Sequence, residues 1–118
     1  MKDDHEGLLP LSPATFYILL ALSDEDRHGY GIMQEVARQS EGRYKLGPGT
    51  FYDNLEKLIA NGVVKEVPRK SANDDPRRRY YRMTTFGRNL FLAEVSRLDI
   101  VVREAKARLR GAKPKEAL

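Results

Sequence analysis

Between His28 and Arg88 the chain lays down two helix patterns, a short apolar strand, a polar tip and a return strand, in that order. The first helix pattern begins HGYGIMQEV and the second runs through LGPGTFYDNLEKLIANG. The strand VVKEV follows, then the tip PRKSANDDPRRR, then the return strand YYRMT. Helical spacing puts Ile32, Met33, Val36 and Ala37 on one side of the first helix. In the second, Phe51, Tyr52, Leu55, Leu58 and Ile59 form one stripe, while Thr50, Asp53, Asn54 and Lys57 fall largely opposite it. A two-stranded hairpin is marginal in water alone, so this one must lean on the helices.

Local signals bound the elements. Ser12-Pro13 opens an earlier helix, where Ser caps free N–H groups and Pro suits the first position. Phe16, Leu19 and Leu20 then share a face. The segment SDEDRHG ends that helix and starts the next, expected over about Gly29 to Gln39, with Asp24 to Asp26 near its N-terminus. Gly42 closes it, Gly47-Pro48 restarts a helix expected over Pro48 to Ala60, and Asn61-Gly62 supplies a left-handed stop. Val63, Val64 and Val67 favour a strand, as do Tyr80, Tyr81 and Met83. Asn73, Asp74, Asp75 and Pro76 are turn formers in the tip between them.

The last helix begins at Thr84 or Thr85 and is expected to reach about Arg110. Phe91, Val95, Leu98, Val102, Ala105 and Leu109 step alternately by four and three, the repeat of a coiled-coil seam. About 25 residues of helix extend roughly 37 Å. The rest of so small a chain cannot cover that length, so the seam calls for a partner, and a second copy is the simplest one. The fold expected is mainly α with a small β-hairpin: a winged helix-turn-helix with a long C-terminal dimerisation helix. Residues 1–10 are expected as a flexible tail, 11–84 as the winged unit, 85–110 as the dimerisation helix and 111–118 as a disordered tail.

Composition narrows the function. Of the 118 residues, 41% are hydrophobic, enough for a small core, and 32% are charged, which argues against wholesale disorder. There is no Cys, which excludes disulfides and thiolate metal sites. No apolar run is long enough to span a membrane, and the acidic start MKDDHEG lacks the order of a signal peptide. A cytoplasmic location is expected. The net charge is +4. It is concentrated in residues 65–82, where Lys65, Arg69, Lys70, Arg77, Arg78, Arg79 and Arg82 face only Glu66, Asp74 and Asp75. Such a block beside a more acidic body suggests a surface for a polyanion.

A helix fits the major groove of duplex DNA, which makes Pro48 to Ala60 the candidate reader. Gly47 and Gly49 remove side-chain bulk where free N–H groups and the helix dipole favour a phosphate. Thr50 can bond a phosphate or base, Asn54 can pair with adenine, and Lys57 suits a backbone phosphate. Asp53 repels phosphates but can accept from a cytosine amine. Arg69, Lys70, Arg77, Arg78 and Arg79 are candidate contacts to phosphates or a narrow minor groove. Alternation would turn Arg78 away from Arg77 and Arg79 if the strand has already begun there. Catalysis is not expected: His5 lies in the tail, His28 is a helix-entry residue, and no His and carboxylate pair stands at ligand spacing. GYG and GPGT match no nucleotide-binding fingerprint. No cofactor is expected.

HGYGI at 28–32, PGTFYDNLEKLIANGVV at 48–64 and RRRYYRMTTFGR at 77–88 resemble the motifs of the PadR-like transcriptional regulators, in the right order. The similarity covers Leu11 to Leu92 and is closest to the short subgroup with a single C-terminal dimerising helix. The resemblance implies a homodimeric winged-helix repressor on a palindromic double-stranded DNA operator. It implies DNA contacts at Tyr30, Thr50, Tyr52 and the basic wing. Tyr52 also stands in the apolar stripe, which allows a core role with only its hydroxyl reaching phosphate. Some short relatives hold flat hydrophobic effectors between tryptophans at the dimer interface; this chain has no Trp. That tryptophan pocket is therefore not carried over, and a small-molecule effector of unidentified chemistry stays among the partners the resemblance allows. The alternative is a winged-helix module that docks a protein through Asp53 and Glu56 without reading DNA sequence.

Overall fold

The computed structural model describes residues 6–69 and 71–111. Ser12 opens α1 (Pro13–Ala21): its side-chain oxygen accepts from the Thr15 N–H at 3.2 Å, and Pro13 takes the first helical position. A turn leads into β1 (Arg27–His28), which passes directly into α2 (Gly29–Gln39). Nδ1 of His28 accepts from the Gly31 N–H at 3.0 Å and so caps α2. The acids before it act as ion-pair partners: Arg27 meets Asp24 and Glu25, and Asp26 meets Arg82. Then follow α3 (Pro48–Ala60), β2 (Val64–Val67), β3 (Tyr80–Met83) and α4 (Thr85–Gly111).

The sheet has three strands, in the order β1-β3-β2, all antiparallel neighbours. Sequence suggested two, because Arg27 and His28 are too few to write an alternating pattern. The added strand supplies support that the hairpin lacks. Arg27 stands opposite Tyr81 and His28 opposite Tyr80, and the His28 ring meets Tyr80 edge-on at 5.4 Å. On the other side Val64 faces Met83 and Val67 faces Tyr80.

The core lies where α1, α2, α3 and the start of α4 converge on the sheet. Ile18, Leu19, Ile32, Val36 and Phe51 are fully buried there, with Val63, Val64 and Leu90 almost so. Each such side chain contributes about 1.5–3 kcal/mol of apolar burial. The N-terminal segment belongs to this body sooner than sequence suggested. Glu6–Leu8 form a turn of 3₁₀ helix, and Leu8, Leu9 and Leu11 pack on the core. Residues 1–5 and 112–118 lie outside the described residues.

One junction ties α3, the hairpin and α4 together. α3 stops at Gly62, whose φ of 73° is the left-handed turn that glycine allows without strain. The Val63 carbonyl then accepts from the Thr84 N–H at 3.0 Å. The Thr84 hydroxyl donates to the Gly62 carbonyl at 2.6 Å and accepts from the Gly87 N–H at 2.9 Å, capping α4. A methyl group on Gly87 would stand 2.1 Å from the Val63 carbonyl oxygen, so only glycine lets α4 lie this close.

Past that junction α4 leaves the body. Its buried residues are Gly87, Leu90, Phe91 and Glu94, all among its first ten, and residues 99–111 are exposed. At 27 residues it is about 40 Å long. The radius of gyration is 17.3 Å, against roughly 13.5 Å for a compact chain of this length. Phe91 corrects the seam expectation: it is 8% exposed and packs on Phe16 with ring centroids 5.2 Å apart, within its own chain. A seam read from spacing alone cannot tell where the chain's own core ends.

Glu94 is 1% exposed and joins α4 to the N-terminal segment. Its Oε2 accepts from the Leu11 N–H at 2.9 Å, and Arg97 donates to both carboxylate oxygens, at 2.6 and 3.0 Å. These bonds, the Arg97 guanidinium first, hold its carboxyl below the usual range against the opposing effect of burial. A lowered carboxyl pKa stabilises the fold above the unfolded-state value, and acidification removes that contribution.

Two outcomes are expected. Gly87→Ala destabilises the chain by about 3 kcal/mol through overpacking against backbone, whereas Gly49→Ala, with open space around it, leaves the urea midpoint unchanged or raised. For Glu94→Gln, the stability deficit is full at pH 7 and begins to close below about pH 4.5, the unshifted carboxyl value. Urea titrations at both ends of that range check it; a deficit independent of pH contradicts it.

Candidate nucleic-acid interface

The first turn of α2, Tyr52 of α3 and the end of the wing meet in one open groove. It has a volume of about 400 Å³ and is lined by His28, Gly29, Tyr30, Tyr52, Arg77, Arg78, Arg79 and Tyr81. Capping by His28 sets the start of α2, so Tyr30 projects outward, 63% exposed. Tyr52 lies across the groove, 46% exposed, its ring edge-on to Phe51 at 4.7 Å. It is therefore neither core nor free surface: one edge packs on Phe51 and the hydroxyl lies over Gly29. A methyl on Gly29 would stand 2.6 Å from that hydroxyl oxygen. Tyr81 forms part of the groove wall, and burial pushes its hydroxyl pKa up, which keeps it neutral.

All three wing arginines reach this groove because β3 begins only at Tyr80. The alternation that would have turned Arg78 away has not started. Each arginine is nonetheless engaged by a carboxylate. Arg77 meets Asp75 through Nε and a terminal nitrogen, both at 3.2 Å, and the Arg77 N–H donates to Asp75 at 2.9 Å. Arg78 lies 4.0 Å from Asp74, and Arg79 lies 3.2 Å from Glu66. Arg69 is exposed and donates from Nε to the Ser71 carbonyl at 3.1 Å. Lys70 lies outside the described residues.

On α3 the candidates separate. Gly49 and Thr50 are exposed on its first turn, where Gly47 supplies no side-chain cap to the free N–H groups. Asp53, Glu56 and Lys57 are exposed along the helix. Asn54 is half-buried and donates to the Thr50 carbonyl at 2.8 Å. It shares with Lys57 a smaller hollow of about 170 Å³ against Leu8, Leu11, Leu58 and Leu90. Asn54 thus turns toward the N-terminal segment, away from the tyrosine and arginine groove.

Along α4, Val95 is 40%, Val102 46% and Leu109 77% exposed; Ala105 is exposed and Leu98 half-buried. Leu92, Ile100 and Val101 are exposed as well, outside the four-three spacing that marked the seam. Sequence reasoning also passed over the roles of His28 and Tyr81 in the groove, and of Asp74, Asp75 and Glu66 as partners of the arginines. The acids were legible only as turn formers or as charge to subtract. Among the described residues no cluster of three or more His, Asp or Glu is placed to hold a metal ion, and no helix is long and apolar enough to cross a membrane.

Comparison with known proteins matches these elements. The model of the transcriptional regulator PadR-like family matches residues 18–93. The transcriptional regulator Rv3488 of Mycobacterium tuberculosis is 33% identical over 88 residues, 75% of this chain and 78% of that protein. A PadR-like transcriptional regulator from Bacillus cereus superposes with a TM-score of 0.69 at 20% identity, covering 91% of this chain and 96% of that one. A PadR family transcription regulator from Clostridium difficile gives 0.63 at 23% identity, covering 83% and 99%. These structural likenesses extend through the helices, the small sheet and the long last helix.

The packing of Tyr52 gives a test of the groove itself. Gly29→Ala is expected to displace the Tyr52 ring while the fold persists, because the obstructing atom is the end of a side chain. In an NMR spectrum the Tyr52 ring signals shift, and those of Tyr44, stacked on Tyr17 at 5.4 Å, stay in place. Unmoved Tyr52 signals would contradict the contact.

Proposed function

The chain belongs to the PadR-like family of transcriptional regulators, and from that premise we propose that it acts as a homodimeric, sequence-specific repressor on a palindromic DNA operator. The observation that carries this reading is the shared groove. Tyr30, Tyr52 and three wing arginines line one surface, with the first turn of α3 close by through Tyr52. In that arrangement α3 enters the major groove, its first-turn N–H groups and Thr50 hold a phosphate, and the tyrosines flank the backbone. The wing arginines follow phosphates or the adjacent minor groove, setting register without reading sequence directly.

The projecting half of α4 supports the dimer. Val95, Val102 and Leu109 are too exposed for a helix that ends in water, and a second copy covers them by the same stripe. Paired across a two-fold axis, the two recognition helices meet successive major grooves, about 34 Å apart.

Fluorescence anisotropy on the duplex upstream of the chain's own gene, against a scrambled duplex near physiological salt, tests the reading. A preference of about 10³-fold is expected. Equal weak binding to both contradicts sequence-specific action there, and no binding at low salt contradicts DNA binding altogether. Arg77→Ala with Arg79→Ala is expected to weaken both duplexes together and flatten the log–log salt slope by about two per protomer. An unchanged slope would remove those arginines from the interface.

A further inference from the structure

The arginines on the wing are exposed, yet each is paired with a carboxylate of its own chain. Asp75 holds Arg77 by two side-chain bonds and one backbone bond, and Asp74 stands 4.0 Å from Arg78. Asp74 is itself fixed from behind: it lies beside the Tyr80 hydroxyl and raises that group's pKa, and its side chain is only 19% exposed. Two carboxylates therefore sit inside the cationic tip, held there by the sheet and by the turn they help to form. We propose that Asp74 and Asp75 attenuate DNA binding, by holding Arg78 and Arg77 in internal ion pairs that a duplex must displace.

The inference rests on the DNA-binding reading above and specifies how its affinity is set. A phosphate oxygen and a carboxylate oxygen compete for the same guanidinium donors with similar geometry. Contact with the duplex exchanges one anionic partner for another and leaves the displaced carboxylate near the phosphates. The wing then gains less from each contact than its arginines alone would give. Arg77 holds the Asp75 carboxyl below the usual range, so it stays charged at neutral pH and the competition persists. Bulk DNA is bound chiefly through phosphates, so a partly self-neutralised wing lowers that background binding.

Isosteric amides separate charge from shape. An Asn oxygen at position 75 still accepts from the Arg77 N–H, and one at position 74 still faces the Tyr80 hydroxyl. Glu104→Gln is the matched control: it also removes one charge, from an exposed pair with Arg108 at 2.8 Å on α4, far along the chain from the wing. Anisotropy titrations with a scrambled duplex over a range of salt compare the wild-type chain, Asp74→Asn, Asp75→Asn and the control.

Each wing variant is expected to bind about two- to fivefold tighter than wild type, with a salt slope steeper by up to about one, while the control changes by less than about 1.5-fold. Wing variants that match the control, or bind more weakly, overturn the proposal while wild-type binding keeps the DNA-binding reading intact. A wild-type chain that binds no duplex at low salt removes both. If Asp74→Asn perturbs the fold by circular dichroism, Asp75→Asn alone decides the matter.

Discussion

The approach of α4 to the Val63 carbonyl is the contact on which the arrangement of this molecule depends. α3 ends at Gly62, the next residue's carbonyl receives the Thr84 N–H, and Gly87 lets the new helix lie against that same backbone. The helix proposed to read DNA and the helix proposed to pair with a second copy thus share a junction only a few residues wide. A side chain at position 87 cannot be added without separating them.

Electrostatics around that frame are mostly spoken for within the chain. Glu94 is buried, yet an N–H from Leu11 and two bonds from Arg97 satisfy it, so the carboxylate ties the N-terminal segment to α4 rather than destabilising the core. Glu35 follows the same logic on α2, where Arg38 and Gln39 lower its pKa to about 2 despite partial burial. At the wing the same kind of pairing occurs at the surface, where it contributes little stability but sets what a polyanion must displace. Charge count registers those acids only as a sum; the structure shows which arginine each one holds.

Much of the fold was legible because its signals are local. Ser12-Pro13, Gly42, Gly47-Pro48 and Asn61-Gly62 mark helix ends through backbone requirements that hold in any context, and those ends stand where the residues imply. β1 was missed because two residues carry no periodicity; its pairing is written in Tyr80 and Tyr81, more than fifty positions later. Phe91 was misassigned for a related reason. Heptad spacing gives a helix an apolar side but not the neighbour that covers it, and here Phe16 arrives first. At the candidate site, residue types pointed to Thr50 and the arginines, and the family resemblance to Tyr30 and Tyr52. The groove that gathers most of them depends on Gly29 admitting the Tyr52 hydroxyl, which only three-dimensional packing reveals.

In the proposed dimer the junction at Val63 and Gly87 holds each recognition helix at a fixed angle to a paired α4, so that two copies present them one DNA turn apart. The chain has no Cys, so a single Glu56→Cys variant accepts one spin label per protomer, at an exposed site on α3. Pulsed dipolar spectroscopy on that sample, free and with operator duplex, measures the separation directly. One narrow distance on the order of 34 Å is expected, little altered by DNA. A broad or multiply peaked distribution would contradict the rigid junction, and the absence of any distance between protomers would contradict the dimer.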